Sequence, residues 1–117
     1  MKHLKSGKRL SRPTGHRNML LRNLSISLLD KGKIVTTEAK AKELRRHIEK
    51  IITIAKVDNF NTRRKVARFI HDEKTLKALF TEIAPRYSDR PGGYTRIIHK
   101  GFRAGDGAEL VVVELVE

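Results

Sequence analysis

The amino-acid sequence predicts an α+β domain, with helices packed on one face of a small, mostly antiparallel sheet and a basic, extended N-terminal arm. Three observations predict it. Apolar residues recur at helical spacing through the front of the chain, from Leu20 to Ile83. After the Pro- and Gly-containing stretch Arg86 to Gly93, the period changes to runs of β-branched residues. Before Thr14 the chain carries cations but too few apolar residues to fold alone. The expected organisation is an arm over residues 1–13 and a single domain over residues 14–117.

In the first element Leu20, Leu24 and Leu28 recur every fourth residue, with Leu21 widening the stripe. Thr14 is expected as the cap, and Gly32 after Asp30 and Lys31 as the stop. Met19 and Ile26 form a second stripe, so this helix is expected between layers, at the centre of the core. Ile34, Val35 and Thr36 read as a third strand. Thr37 and Glu38 open a second helix with Ala41, Leu44, Ile48, Ile51, Ile52 and Ala55 inward. Its outer face offers the i,i+4 pairs Glu38 with Lys42 and Arg45 with Glu49, each worth about 0.2–0.5 kcal/mol.

A third helix is expected from Phe60 to His71, burying Val66, Phe69 and Ile70 and exposing Arg63, Arg64, Lys65 and Arg68. Asp72 is expected to cap a fourth, with Leu76, Leu79, Phe80 and Ile83 on one face and Pro85 ending it. Tyr94 to Lys100 and Leu110 to Val116 read as a hairpin whose glycine-rich tip runs from Gly101 to Gly107.

Composition narrows the function. Among 117 residues there are 26 Lys or Arg and 13 Asp or Glu, a formal charge of +13. Such self-repulsion points to a polyanionic partner. With no cysteine, disulfides, thiol nucleophiles, zinc ribbons and iron–sulfur clusters are excluded together, and a reducing compartment fits. No apolar run approaches the ~18 residues of a membrane span, and the basic first residues lack the apolar segment of a secretory signal. The chain therefore reads as neither spanning nor exported. A transit presequence is the competing reading of the basic N-terminus; the core-like helix that follows argues against it.

No catalytic or metal constellation emerges from spacing. His3, His16, His47, His71 and His99 show neither H-x-H nor H-x-x-x-H spacing, so structural or phosphate-contacting roles are expected, with no metal and no cofactor. The Gly101 to Gly107 loop lacks G-K-[ST] and leads into a strand, unlike a phosphate cradle. A nuclease could use Asp89, Asp106 and Glu109 to hold magnesium, but no spacing selects them.

The cations are more informative. Lys2, Lys5, Lys8, Arg9, Arg12, Arg17 and Arg22 precede Asp30, the first acid. Either this is a solubilising tail or it is an arm threading along phosphates, releasing counterions as it binds. Arg63, Arg64, Lys65 and Arg68 form a second set, which also reads as an ordinary solvated helix face. Arg86, Arg90, Arg96, Lys100 and Arg103 form a third, interleaved with Tyr87 and Tyr94. Arginines beside aromatic rings favour RNA through stacking on unpaired bases, although Tyr94 equally suits a sheet residue packed on a helix. Asp106, Glu109, Glu114 and Glu117 follow the last cation, so one end of the hairpin is expected to be acidic and to face a basic protein.

Several blocks carry a resemblance, nearly end to end: Met1-Lys2-His3, Gly7-Lys8-Arg9-Leu10, and His16-Arg17 leading to Leu20-Leu21-Arg22-Asn23-Leu24. Ile34-Val35-Thr36-Thr37, Lys40 to Arg45, Arg63-Arg64, Arg90 to Ile97, Gly105-Asp106 and Glu114-Leu115-Val116 continue it. In these residues the sequence resembles the bacterial large-subunit ribosomal protein seventeen family. It departs where Lys2 replaces a frequent arginine, and around Asp72 and Asp106. The resemblance implies a structural constituent of the large (50S) subunit that binds its 23S ribosomal RNA in the cytoplasm. It also implies no enzymatic activity, no cofactor, and protein thirty-two of that subunit as a neighbour. The expected RNA-binding residues are Lys2, His3, Lys5, Lys8, Arg9, Arg12, His16, Arg17, Arg22, Arg63, Arg64, Lys65, Arg68, Arg90, Tyr94 and Arg96. A free-standing nucleic-acid-binding or architectural protein is the alternative.

Overall fold

A computed structural model describes residues 14–117; the arm, with Lys2, His3, Lys5, Lys8, Arg9 and Arg12, lies outside the described residues. Helix α1 (Thr14–Lys31) leads through Gly32 to strand β1 (Lys33–Thr37) and helix α2 (Glu38–Ala55). Helices α3 (Phe60–Ala67) and α4 (Glu73–Ala78) follow. A π-helical turn (Leu79–Ile83) joins α4 to the short α5 (Ala84–Arg86). Strands β2 (Thr95–Phe102) and β3 (Glu109–Leu115) complete an antiparallel sheet of order β1-β3-β2. The α+β expectation holds, including Ile34-Val35-Thr36 as the third strand.

Period-2 alternation fixes which face the helices cover. Val111, Val113 and Leu115 are buried beneath them. Val112 lies between Val35 and Ile98 in the register, and that row faces away, with Val35 and Ile98 exposed.

The centre of the core is α2, not α1. Ala41, Leu44, Ile48, Ile51, Ile52 and Ala55 are all buried as expected, and α2 touches α1, α3, α5, the π-helical turn and all three strands. In α1 the buried line is Leu21, Ser25 and Leu28, with Leu29 beside it. Leu24 and Ile26 are half-buried against the core, and Met19 is 59% exposed, so the expected second stripe does not form. The buried line instead runs through Ser25, whose hydroxyl donates to the Leu21 carbonyl at 2.7 Å. A serine satisfied within its own helix can occupy the core, and hydrophobicity alone does not reveal that. The helix already includes Thr14, so Thr14 is not the expected cap. Gly32 stops α1 as expected, with φ of 83° and its N–H donating to the Leu28 carbonyl at 2.8 Å.

Two further boundaries differ. Helix α3 ends at Ala67, after which a turn still buries Ile70 and half-buries Phe69. Pro85 does not end the fourth helical segment, which runs on through Arg86. In an α-helix the Pro85 ring would meet the Thr81 carbonyl; the wider π-helical turn just before it carries the chain past. Asp72 occupies the capping position of α4, but its carboxylate accepts from the Thr75 hydroxyl at 2.5 Å and from no backbone N–H.

Candidate nucleic-acid interface

The second cationic set is built by a local cap. Asn59 and Thr62 exchange side-chain bonds across the start of α3: the Thr62 N–H donates to Asn59 Oδ1 at 2.9 Å, and the Asn59 N–H to Thr62 Oγ1 at 3.1 Å. This orients the helix so that Val66 is buried while Arg63, Arg64, Lys65 and Arg68 face outward. Arg63 is already engaged. It forks onto Asp58 at 2.6 and 2.9 Å and lies 5.1 Å from the Phe80 ring centre. That pairing holds the Asp58 carboxyl below its ordinary range, the hydrogen bond from Arg63 being the main cause. Among the described residues, no carboxylate pairs with Arg64, Lys65 or Arg68, whose charges remain available.

Arg22 of α1 reaches this set, donating to the Arg68 carbonyl at 3.4 Å and lying 6.0 Å from the Phe69 ring centre. His71 contacts the same carbonyl at 2.9 Å. His16 and Arg17 lie one helical turn or more N-terminal to Arg22. His16 is exposed, whereas Arg17 donates to Glu43 of α2 at 2.9 Å. Glu43 is only 3% exposed and also accepts from Arg46 at 3.4 Å. His47 stacks on Phe69, with ring centres 5.5 Å apart and planes 3° apart. The His47 imidazole titrates below its usual range, first because of burial and then because of Arg17, with Lys50 and Arg46 adding to the effect against Glu43.

Sequence reasoning missed this α2 face. Its signal was present: Lys40, Glu43, His47 and Lys50 repeat at helical spacing beside the apolar stripe.

Arg90 of the third set lies on the loop between Tyr87 and Tyr94. Here Glu49 does not pair with Arg45 as expected. Its carboxylate accepts the Gly93 N–H at 2.8 Å, the Tyr94 N–H at 2.9 Å, the Thr95 N–H at 3.1 Å and the Thr95 hydroxyl at 3.2 Å. Lys56 donates to the Arg90 carbonyl at 2.6 Å and to the Tyr94 hydroxyl at 3.2 Å, and Arg90 to the Gly93 carbonyl at 2.9 Å. Tyr94 has 0% exposure and packs on Tyr87, ring centres 5.1 Å apart. Its ring cannot stack on a base, which corrects the RNA-contact expectation for this residue in favour of the packed one. Tyr87 is buried too, its hydroxyl donating to the Val116 carbonyl.

Arg96 is exposed but bonded to Glu114 at 2.7 Å. Two more acids at the expected acidic end of the hairpin also have side-chain partners. Arg103 binds Asp106 at 2.5 Å, and His99 binds Glu109 at 2.5 Å. Asp106 is thereby held down at about 2, chiefly by its hydrogen bond with Arg103.

The fold also gathers Glu38, His99 and Glu109, whose ligand atoms lie within 4.8 Å of one another, a grouping their sequence separation conceals. Lys42 occupies the same corner, 2.7 Å from Glu38. Glu38 is held at about 2, first by its hydrogen bond with Glu109 and then by Lys42. The expected Glu38–Lys42 pair is therefore present, inside a larger ion-paired cluster.

Comparison with known proteins supplies the context for these cationic faces. A family model described as "Ribosomal protein L17" matches residues 20–116. A protein named "Large ribosomal subunit protein bL17" from Heliobacterium modesticaldum is 54% identical over 93% of this chain and 97% of its own length. Proteins of that name from Syntrophotalea carbinolica and Trichlorobacter lovleyi are each 51% identical over the whole chain, covering 76% and 94% of their own lengths.

Proposed function

The chain belongs to the ribosomal protein L17 family, and from that membership we propose that it is a structural constituent of the large ribosomal subunit, binding and stabilising 23S ribosomal RNA in support of translation. The observation that carries the reading is the family match across residues 20–116. A charge of +13 supports it, since a protein repelling itself this strongly gains most from a polyanion. Arg64, Lys65 and Arg68 offer exposed cations to phosphates, and the arm residues Lys2, His3, Lys5, Lys8, Arg9 and Arg12 would extend the contact along the RNA. His16, Arg22, Arg90 and Arg96 belong to the same proposed contact set, with Arg96 first having to share Glu114.

Under this reading the protein works in the cytoplasm without catalysis, holding RNA segments in place. Protein thirty-two of the large subunit is the proposed protein neighbour. The apolar row on the open face of the sheet, with Val35 and Ile98 exposed and Val112 half-buried between them, suits such a neighbour better than it suits RNA.

Co-sedimentation of the endogenous protein with large subunits through high salt is the test, and retention is the expected result. Loss into the soluble fraction, with salt-dependent binding to any duplex or single strand, would favour the free-standing nucleic-acid-binding alternative. A second measurement addresses the arm. Replacing Lys5, Lys8, Arg9 and Arg12 with glutamine should flatten the dependence of log K on log salt by about 3 units, at ~0.7–0.9 per phosphate contact. An unchanged slope would make the arm a solubilising tail.

A further inference from the structure

A carboxylate buried in a protein of this charge calls for a physical reason. Glu43 is stable in its position only because cations hold it. One is Arg17, in the first turn of α1, where the helix dipole disfavours a cation. Glu43, 2.9 Å away, reverses that local sign. Another is Arg46, whose contact with Glu43 is longer, 3.4 Å through one Nη, leaving donors of its fork directed elsewhere.

Around these groups lies a concavity of about 160 Å³ lined by Arg17, Glu43, Arg46, His47 and Lys50. Among the described residues the lining carries the cations Arg17, Arg46 and Lys50 and the anion Glu43. Among the described residues Lys50 has no carboxylate partner. The His47 ring is stacked on Phe69, with planes 3° apart. The His47 imidazole titrates below its usual range first because it is half-buried and only then because of Arg17, with Lys50 and Arg46 adding to the effect against Glu43.

We infer that this concavity between α1 and α2 seats one backbone phosphate of the bound RNA, with Arg46 and Lys50 donating to its oxygens and Glu43 acting as the positioning residue that holds Arg17 and Arg46 in place. The inference rests on the RNA-binding reading above and assigns it a site. Lone lysines along an exposed helix bind phosphate as point charges; a pre-held arginine fork beside a lysine gives direction as well as charge.

The test uses the full chain and deproteinised large-subunit ribosomal RNA over a KCl series. Arg46→Gln and Lys50→Gln should each weaken binding roughly tenfold, and the double variant should lower the salt slope by about 0.7–0.9, the share of one phosphate. Lys42→Gln removes the same charge from α2 but outside the concavity, and should change affinity less than about twofold. Glu43→Gln gives the sharpest readout. It makes the protein more positive, so bulk electrostatics demands tighter binding, whereas loss of positioning weakens the affinity of the folded fraction, measured by a parallel denaturant melt. If Arg46→Gln and Lys50→Gln behave like Lys42→Gln while the unmodified chain binds RNA, the site is overturned and the RNA reading stands. Tighter binding by Glu43→Gln overturns its positioning role. If inorganic phosphate at constant ionic strength shifts the His47 ring resonances but neither cation variant affects RNA binding, the concavity is a free-anion site and its assignment to RNA fails. Absence of RNA binding by the unmodified chain would remove both readings.

Discussion

Replacing Glu49 with alanine is expected to cost about 2–4 kcal/mol of folding stability, far more than its position on a charged helix face suggests. As one half of a surface pair with Arg45, Glu49 would be worth only ~0.3–0.5 kcal/mol. In the folded chain it anchors backbone instead. Its two oxygens receive the N–H groups of Gly93, Tyr94 and Thr95 at 2.8–3.1 Å, where the chain enters β2. Gly93 is exposed, so water replaces the carboxylate there at little cost. Tyr94 and Thr95 are buried, and each donor left unsatisfied costs ~1–3 kcal/mol. Summed and discounted for partial access of water, the loss is about 2–4 kcal/mol. Glu49→Gln should cost about half as much, because one oxygen becomes an NH₂ that faces donors. Urea denaturation of the full chain reads these differences, with Arg45→Ala as the control expected within ~0.5 kcal/mol of the unmodified protein. A Glu49→Ala loss below ~0.5 kcal/mol, matched by Arg45→Ala, would show that the carboxylate is surface decoration and refute the anchoring argument.

The core position in α1 can be checked in the same assay. Leu21→Ala, at a fully buried site, should cost about 3–5 kcal/mol, and Leu24→Ala, half-buried, less than about 2. Equal losses would restore Leu24 to the centre of the stripe. The pH dependence of stability should show His47. Burial and its cationic neighbours place its folded pKa below the ordinary 6.5, so the unfolded chain takes up a proton first. Stability should therefore fall as pH drops from about 6.5 through the lower folded value and level off beneath it. His47→Gln should flatten that segment of the curve; an unaltered slope would mean that the imidazole ionises equally in both states.

Much of this molecule was legible in its sequence because the decisive signals were local. The period of 3.6 in Ala41 to Ala55, the stop at Gly32 and the switch to β-branched residues after Gly93 each act within a few residues. Together they determined helix, strand and hairpin, and the charge of +13 determined the class of partner. Sequence similarity alone placed the chain in its family. What only the tertiary structure decided is the use to which each polar residue is put. Ser25 enters the core by bonding to its own helix, Glu49 leaves Arg45 for backbone groups 44 to 46 residues away, and Tyr94 turns its ring inward instead of toward RNA. Glu43 finds Arg17 across 26 residues, and Arg96 finds Glu114 across 18. The physical reason is a difference in range. Apolar burial follows a periodicity written along the chain, whereas a charged or hydrogen-bonding side chain is committed by whatever group lies within about 3 Å of it once the elements have packed.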